Sequence, residues 1–118
     1  MKKVLTYILI GSVFFSCEDF LEVDISKEDV QLLAPTDGAT LNNGNLTFTW
    51  NAIEGAERYH PQIAQPSFDG VLQIVRDTLL DNTSFRDSLG INTYQWRVKA
   101  ENSAYTTEYS TNTLTIEE

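Results

Sequence analysis

The strict alternation of apolar and polar side chains in residues 94–101 (YQWRVKAE) constrains the fold of this chain more than any other feature. A period of two puts one set of side chains on a buried face and the other set in water, which is the geometry of a β-strand and not of a helix. Residues 46–50 (LTFTW) repeat the pattern. Because the tryptophans take apolar positions, we expect Trp50 and Trp96 to be buried in one shared core.

Short segments of this kind, separated by turn residues, continue from residue 30 to residue 118. Turn-forming sequences stand at residues 37–38 (DG), 42–44 (NNG) and 54–55 (EG). The predicted strands lie at residues 30–33, 46–50, 58–63, 71–75, 83–85, 94–101 and 114–116, with the 71–75 segment at a sheet edge. About seven short strands without a long helical segment predict an all-β sandwich.

Several of these segments resemble the fibronectin type III family. They are Pro35, the LTFTW strand at residues 46–50, the GAxxY pattern at residues 55–59 and the YxWRVxAxN pattern at residues 94–102. The resemblance covers residues 30–118 and implies a seven-stranded, immunoglobulin-like β-sandwich. The Arg-Gly-Asp tripeptide with which members of that family bind integrins is absent from the sequence.

The resemblance also implies roles for individual core residues. Trp50 would be the core tryptophan of the second strand, and Tyr94 would form the tyrosine corner near the start of the sixth strand. Tyr59 and Trp96 take inward positions on their strands and complete the predicted core. Pro61 stands where the family usually has valine or leucine, so its missing N–H predicts a broken ladder or a bulge there.

The first 16 residues have the layout of a secretory signal peptide. Two lysines precede an apolar run at residues 4–15, and Ser16 stands before Cys17. The run of 12 residues rises about 18 Å as a helix, which is short of the roughly 30 Å hydrocarbon core of a bilayer. This length favours a cleaved signal peptide over the alternative of a retained transmembrane anchor.

The only cysteine of the chain ends this segment. Residues 14–17 (FFSC) resemble the lipobox of bacterial lipoproteins, which implies that Cys17 is diacylated and becomes the first mature residue. A lone cysteine in an exported chain has no internal disulfide partner, which agrees with this role. The alternative is an ordinary signal peptide that leaves Cys17 as a free thiol.

Residues 17–29 are predicted to form a lipidated, extended acidic tether. After the cysteine, the segment carries six acidic residues and one lysine, and like charges keep such a chain extended. Its alternative is a short first strand through the alternating apolar positions at 21–25. Glu18 and Asp19 resemble the surface-export signals of lipoprotein-rich Gram-negative groups, whereas in other lineages an acid at this place retains the protein at the inner membrane.

The net charge limits the partners of the mature protein. Removal of Lys2 and Lys3 with the signal peptide takes the formal net charge from −9 to −11. Such a chain repels nucleic-acid phosphates and anionic headgroups, so we expect no nucleic-acid partner. Contact with the membrane would then depend on the lipid alone, and two or more acyl chains give stable anchoring. The predicted location is the outer membrane, with display at the cell surface.

The ionisable residues do not form a recognisable catalytic or metal-binding set. His60 is the only histidine, and its position opposite the apolar face of its strand predicts an ordinary solvent-facing residue. Asp77, Asp81 and Asp87 lie in turn-rich stretches, where we expect solvated carboxylates with ordinary pKa values. Neither a nucleophile with its base nor a set of convergent metal ligands can be assembled. We expect no enzyme activity, no metal and no cofactor.

Three aromatic residues outside the predicted core are candidates for ligand binding. Phe68 lies in a predicted loop, and Tyr105 and Tyr109 flank the hairpin before the last strand. Exposed aromatic rings are common contact points for sugars and peptides. This predicts a binding loop for a protein or glycan ligand. The alternative is structural, with Tyr109 packed inward and Tyr105 covering the end of the sandwich.

Two short motifs resemble an O-glycosylation sequon of exported proteins in some Gram-negative bacteria. They are Asp77-Thr78-Leu79 and Asp87-Ser88-Leu89, with Thr78 and Ser88 as the candidate acceptors.

Taken together, the sequence features predict a lipid-anchored binding or spacer module of the outer membrane or cell surface. The alternative function is that of a carbohydrate-capturing accessory lipoprotein of a polysaccharide-uptake system.

Overall fold

The computed structural model describes residues 22–118, which form two packed β-sheets. The strands are β1 (Leu32–Ala34), β2 (Ala39–Asn42), β3 (Gly44–Trp50), β4 (Arg58–Gln65), β5 (Gln73–Asp77), β6 (Ser84–Leu89), β7 (Asn92–Glu101) and β8 (Ser110–Glu117). One sheet has the order β1-β3-β6 and the other the order β2-β8-β7-β4-β5. The prediction of an all-β sandwich is confirmed, with eight strands in place of seven. The signal peptide, Cys17, Glu18 and Asp19 lie outside the described residues.

The strand that the sequence did not predict is β2, which pairs in parallel with β8. The chain leaves the three-stranded sheet after β1 and crosses to the five-stranded sheet before β2. Two hydrogen bonds to Thr113 of β8 hold this crossing. Gly38 N donates to Thr113 O at 2.7 Å, and Thr113 N donates to Asp37 Oδ1 at 2.8 Å. Gly38 has a φ of +82°, which favours glycine.

Aromatic side chains form the centre of the core. Trp50 is 2% exposed and Trp96 is 0% exposed, as their strand positions predict. The Trp96 ring lies 5.1 Å from the Phe48 ring, edge to face, and 6.4 Å from the Trp50 ring. The Trp50 ring also contacts Tyr59, at 5.8 Å between centroids. Each such pair contributes about 0.5–1.5 kcal/mol beyond the burial of its area, so these rings help to hold the two sheets together.

Two tyrosine hydroxyls tie loops to the sandwich. Tyr94 Oη donates to the carbonyl oxygen of Gly90 at 2.9 Å, which is the hydrogen bond of a tyrosine corner. Burial raises the pKa of Tyr94 above its usual value. Tyr59 Oη accepts from the backbone N–H of Ile53, also at 2.9 Å. These bonds fix the ends of β7 and β4, the two strands that carry the outward-facing residues described below.

The residue Pro61 interrupts only one of the two ladders of β4. Tyr59 and Leu80 exchange two backbone hydrogen bonds, of 2.7 and 2.9 Å, so alternate residues of β4 from Tyr59 onward direct their backbone groups toward the β5 side. Thr78 N donates to Pro61 O at 3.3 Å. Pro61 has no N–H, so it donates no second hydrogen bond back to this side. The ladder with β7 continues through Pro61. The predicted break therefore falls on the β5 side, and the bulge in that pair of strands lies two residues further along.

The described part of the predicted tether packs against the sandwich. Ile25 is 0% exposed and belongs to the core cluster together with Val30. Asn102 Nδ2 donates to Val23 O at 2.9 Å, and Asp24 Oδ1 accepts from the backbone N–H of Ser26 at 3.0 Å. The prediction of an extended tether as far as residue 29 is wrong for residues 22–29, since burial of one isoleucine outweighs the acidic neighbours. The alternative strand does not form either, because this segment has turn and irregular structure.

We call residues 22–30 the strap. Gly55 allows the strap to approach the sandwich closely. A Cβ atom at Gly55 would stand 2.7 Å from Val23 Cβ, closer than real Cβ contacts come. The φ of Gly55 is +94°, which also favours glycine. Asn102 Nδ2 contacts Gly55 O at 3.0 Å as well, so the strap is pinned where the β3–β4 and β7–β8 connections meet.

Candidate functional site

The outward face of the five-stranded sheet carries a cluster of charged and aromatic side chains. On β7, Trp96 and Val98 point into the core, and Arg97 and Lys99 alternate with them on the outer side. The cross-strand register sets Lys99 beside His60 of β4. We call this cluster the Arg97 face. Its residues are His60, Gln62, Phe68, Asp77, Arg97, Lys99 and Tyr109.

The guanidinium group of Arg97 is held between two aromatic rings. Its Cζ lies 3.9 Å from the ring centroid of Phe68 and 4.0 Å from that of Tyr109. Its Nε donates to Gln62 Oε1 at 2.8 Å. A cation–π contact contributes about 0.5–2 kcal/mol, and three contacts restrict the group to one orientation. Arg97 is therefore a fixed charge and not a freely moving surface side chain.

The loop between β4 and β5 brings Phe68 to this position. Phe68 N donates to Gln95 Oε1 at 2.9 Å, and Gly70 N donates to Ser67 Oγ at 3.1 Å within the loop. The side chain of Gln95 is itself on the outer face of β7, two residues before Arg97. The loop is thus fastened to the strand whose arginine it covers.

The other half of the face is a hydrogen-bonded acid–base pair. His60 Nε2 bonds to the carboxylate of Asp77, and Tyr109 Oη lies 3.5 Å from His60 Nδ1. The hydrogen bond from His60 is the main cause that lowers the pKa of Asp77, with further lowering from Gln62 and from the charge of Arg97. Asp77 is thus held as a carboxylate at neutral pH.

These contacts correct two expectations from the sequence. His60 does lie on the outer face, but its side chain is only 23% exposed and is bonded on both sides. Asp77 is exposed, as expected, but its pKa is not the ordinary one, because the hydrogen bond from His60 lowers it. Tyr109 is half-buried on the outer face, not packed into the core, and burial raises its pKa. Lys99 Nζ lies 5.2 Å from the Tyr109 ring, so one tyrosine contacts both cations of the face.

The three aromatic candidates from the sequence do not form one binding loop. Phe68 and Tyr109 meet across Arg97, but Tyr105 lies at the end of the sandwich in the β7–β8 connection and is 38% exposed. There Tyr105 N donates to Asn102 Oδ1 at 2.8 Å, and Asn102 N donates to Tyr105 O at 2.9 Å. Tyr105 belongs to the strap end of the molecule. Arg97 was not among the residues predicted from the sequence, although its outward position on the most regular strand was the available signal.

The candidate acceptors for O-glycosylation differ in exposure. Ser88 is exposed on β6, and its backbone N–H is bonded to the Asp87 carboxylate at 2.8 Å. Thr78 is half-buried directly after β5, with its N–H bonded to Pro61 O.

Other polar clusters lie away from the Arg97 face or at its margin. Arg58 pairs with Glu101, and Arg76 pairs with Asp87, each with an N···O distance of 3.1 Å. Within residues 22–118 no three or more His, Cys, Asp or Glu side chains are grouped as metal ligands would be. The described part of the chain also holds no helix of the length and apolarity needed to cross a bilayer.

Comparison with known proteins identifies the fold. No family model and no curated protein matches the sequence. A fibronectin type III domain from the human KIAA0970 protein superposes with a TM-score of 0.59 at 15% identity, covering 90% of this chain and 86% of that one. The fn3 domain of human collagen α-1(XX) gives 0.57 at 16% identity, covering 79% and 90%.

A bacterial structure agrees with these two. The fibronectin(III)-like modules of CbhA from Clostridium thermocellum give a TM-score of 0.55 at 12% identity, covering 75% of this chain and 95% of that one. At these identities the similarity extends to the fold alone. Residues 22–118 therefore have a fibronectin type III fold, as the sequence patterns predict.

Proposed function

We propose that this protein is a lipid-anchored, non-catalytic binding module of the outer membrane, displayed at the cell surface. The sequence supports the anchor, since Cys17 follows a signal peptide and precedes Glu18 and Asp19. The fold supports a binding or spacer role. The choice between binding and spacing depends on the surface of the domain and on its distance from the anchor.

The Arg97 face is the observation that carries the binding role. A spacer needs only a stable core, whereas this face holds a guanidinium between two rings and a carboxylate against a histidine. Ordering these long side chains costs conformational entropy. Such order on an outer face, where the core gains nothing from it, is the pre-organisation expected of a recognition surface.

The strap argues against a long spacer. Because the chain is docked from Val23 onward, only five residues separate Val23 from Cys17, and this length of chain spans at most about 20 Å. An anchor at Cys17 would hold the strap end of the sandwich, with Tyr105, nearest the membrane. The Arg97 face lies on the side of the sandwich, so the bilayer would leave it accessible.

The same face supports binding over catalysis. His60 contacts Asp77 and Tyr109, whereas the histidine of a catalytic triad has its nucleophile, most often a serine or cysteine, on the other ring nitrogen. In the described part of the chain that nitrogen faces a tyrosine hydroxyl at 3.5 Å. Capture of a carbohydrate is the more specific alternative, favoured by the carboxylate and amide groups beside the two cations.

Photo-crosslinking on intact cells tests the binding role. A diazirine amino acid at Thr111, which is exposed and lies opposite Arg97 on β8, should give a discrete crosslinked product. The matched control is Thr47, which is exposed on β3 in the other sheet, opposite Arg86, and should give none. Equal products from both positions, or a product from Thr47 alone, would rule out the Arg97 face as the binding surface.

A further inference from the structure

The Arg97 face concentrates positive charge on a chain that is otherwise acidic. The sequence has 17 acidic residues against eight lysines and arginines. Arg58 and Arg76 are each paired with an acid. Arg97 is bonded instead to the neutral amide of Gln62, and Lys99 lies over a tyrosine ring. Among the described residues neither of these two adjacent cations forms a salt bridge, so the charge of the pair is available to a ligand.

The contacts of Arg97 leave one edge of its guanidinium group for such a ligand. Phe68 and Tyr109 contact the planar group, and Nε is used by Gln62. The two terminal nitrogens have no acceptor within residues 22–118. A planar pair of N–H donors matches the two oxygens of a carboxylate, and such bidentate pairs are among the strongest hydrogen bonds in proteins.

The rings of Phe68 and Tyr109 pack against Arg97 and are not the surface on which a ligand would stack. Phe68 and Tyr109 each have a ring face within about 4 Å of the guanidinium carbon, and Tyr109 is only half exposed. A sugar ring stacks on an open aromatic face, and each of these contacts occupies one face of its ring. Recognition on this face therefore depends on charge and hydrogen bonds, in contrast to the aromatic binding loop that the sequence suggested.

Asp77, on the acidic half of the face, restricts which anionic ligands can bind there. Asp77 is held as a carboxylate by His60, and a carboxylate accepts hydrogen bonds from hydroxyl groups but repels other carboxylates. A ligand that satisfies both halves has one carboxylate for Arg97 and Lys99 and neutral hydroxyls for Asp77. A densely acidic peptide offers carboxylates to Arg97 and Lys99 but no hydroxyl groups to Asp77. A uronic acid has the required combination on one ring.

We propose that the Arg97 face binds the uronic acid residues of an acidic polysaccharide, with Arg97 and Lys99 on the carboxylate and Asp77 on the hydroxyl groups. The proposal rests on the binding role proposed above and adds the chemistry of its ligand.

Calorimetric titration of the full chain, purified in neutral detergent, with a galacturonic acid tetramer tests this proposal. The wild type should bind the tetramer and should not bind its fully methyl-esterified form. Arg97→Gln and Lys99→Gln should each weaken binding about tenfold or more, the effect of losing a charge-assisted hydrogen bond. Arg86→Gln removes the same charge from an exposed site on β6 and should change the affinity less than about twofold.

Other outcomes would overturn the proposal. They are equal binding of the ester, equal weakening by Arg86→Gln, equal binding of a poly-glutamate of the same charge, and no binding to the wild type. Lys99→Gln serves as the second variant should loss of Arg97 unfold the loop that carries Phe68, and thermal melting of each variant checks this. A crosslinked protein at Thr111 without tetramer binding would refute the sugar ligand and leave the binding role intact.

Discussion

Replacement of Trp96 by alanine should destabilise the domain by about 3–5 kcal/mol, the loss typical of a deleted core tryptophan. Trp96 has no exposed surface and contacts both Phe48 and Trp50, so its removal leaves a cavity between the two sheets that the sandwich cannot close. A domain of this size has a total stability of about 5–15 kcal/mol. Urea unfolding followed by the fluorescence of Trp50 measures the difference.

Two further variants calibrate this measurement. Trp96→Phe keeps most of the buried ring and gives a smaller, measurable loss should the alanine variant be unfolded in buffer. Tyr105→Ala alters an aromatic residue that is partly exposed outside the core cluster, and it should change the free energy of unfolding by less than about 0.5 kcal/mol. A loss below about 1 kcal/mol for Trp96→Ala would contradict the placement of this ring at the centre of the core.

Replacement of Ile25 by alanine should cost about 2–5 kcal/mol, the range for a fully buried isoleucine. The side chain is buried in the core cluster, so its truncation should also loosen the strap. Hydrogen exchange at the amide of Glu28, which is bonded to Ile25 O at 2.9 Å, should become faster in the variant.

The control is Val23→Ala in the same segment. Val23 is exposed, so this variant should lose less than about 1 kcal/mol. If residues 22–29 were a tether without core contacts, Ile25→Ala and Val23→Ala would have the same small effect. That result would support the longer tether predicted from the sequence. The domain could then lie further from the membrane.

The sequence predicted the sandwich because its strongest signals are local. The alternation in residues 94–101 and 46–50 is visible within each strand, and it placed Trp50 and Trp96 inward as the structure has them. Tyr94 was assigned to a tyrosine corner through a pattern spanning nine residues, from 94 to 102, and its hydroxyl does bond to Gly90 O.

Features that depend on distant partners could not be predicted in this way. β2 has only four residues and obtains its ladder from β8 at the other end of the chain. Ile25 stands among acidic residues, and only the folded structure shows that its side chain belongs to the core cluster. A single buried residue in an irregular segment produces no hydrophobic periodicity. The acidic composition of the segment therefore predicted a solvated tether.

The Arg97 face was predicted only in part, for a related reason. Phe68 and Tyr109 were identified as candidates because aromatic residues in loops are conspicuous in a sequence. Their meeting point depends on the register of β7 with β4 and β8. The bond between His60 and Asp77 likewise joins two strands, and neither residue carries a sequence signal for it.

The most direct test of a lipid-anchored surface module is the fate of Cys17→Ala in the organism that produces the protein. The wild type should incorporate a radioactive fatty acid, partition into the detergent-rich phase and be digested when intact cells are treated with protease. Cys17→Ala should lose the label and the partitioning. Replacement of Glu18 and Asp19 together by alanine should keep the label but protect the domain from protease. An unlabelled wild-type protein would contradict the anchor, and a labelled protein that resists protease on intact cells would contradict the surface display.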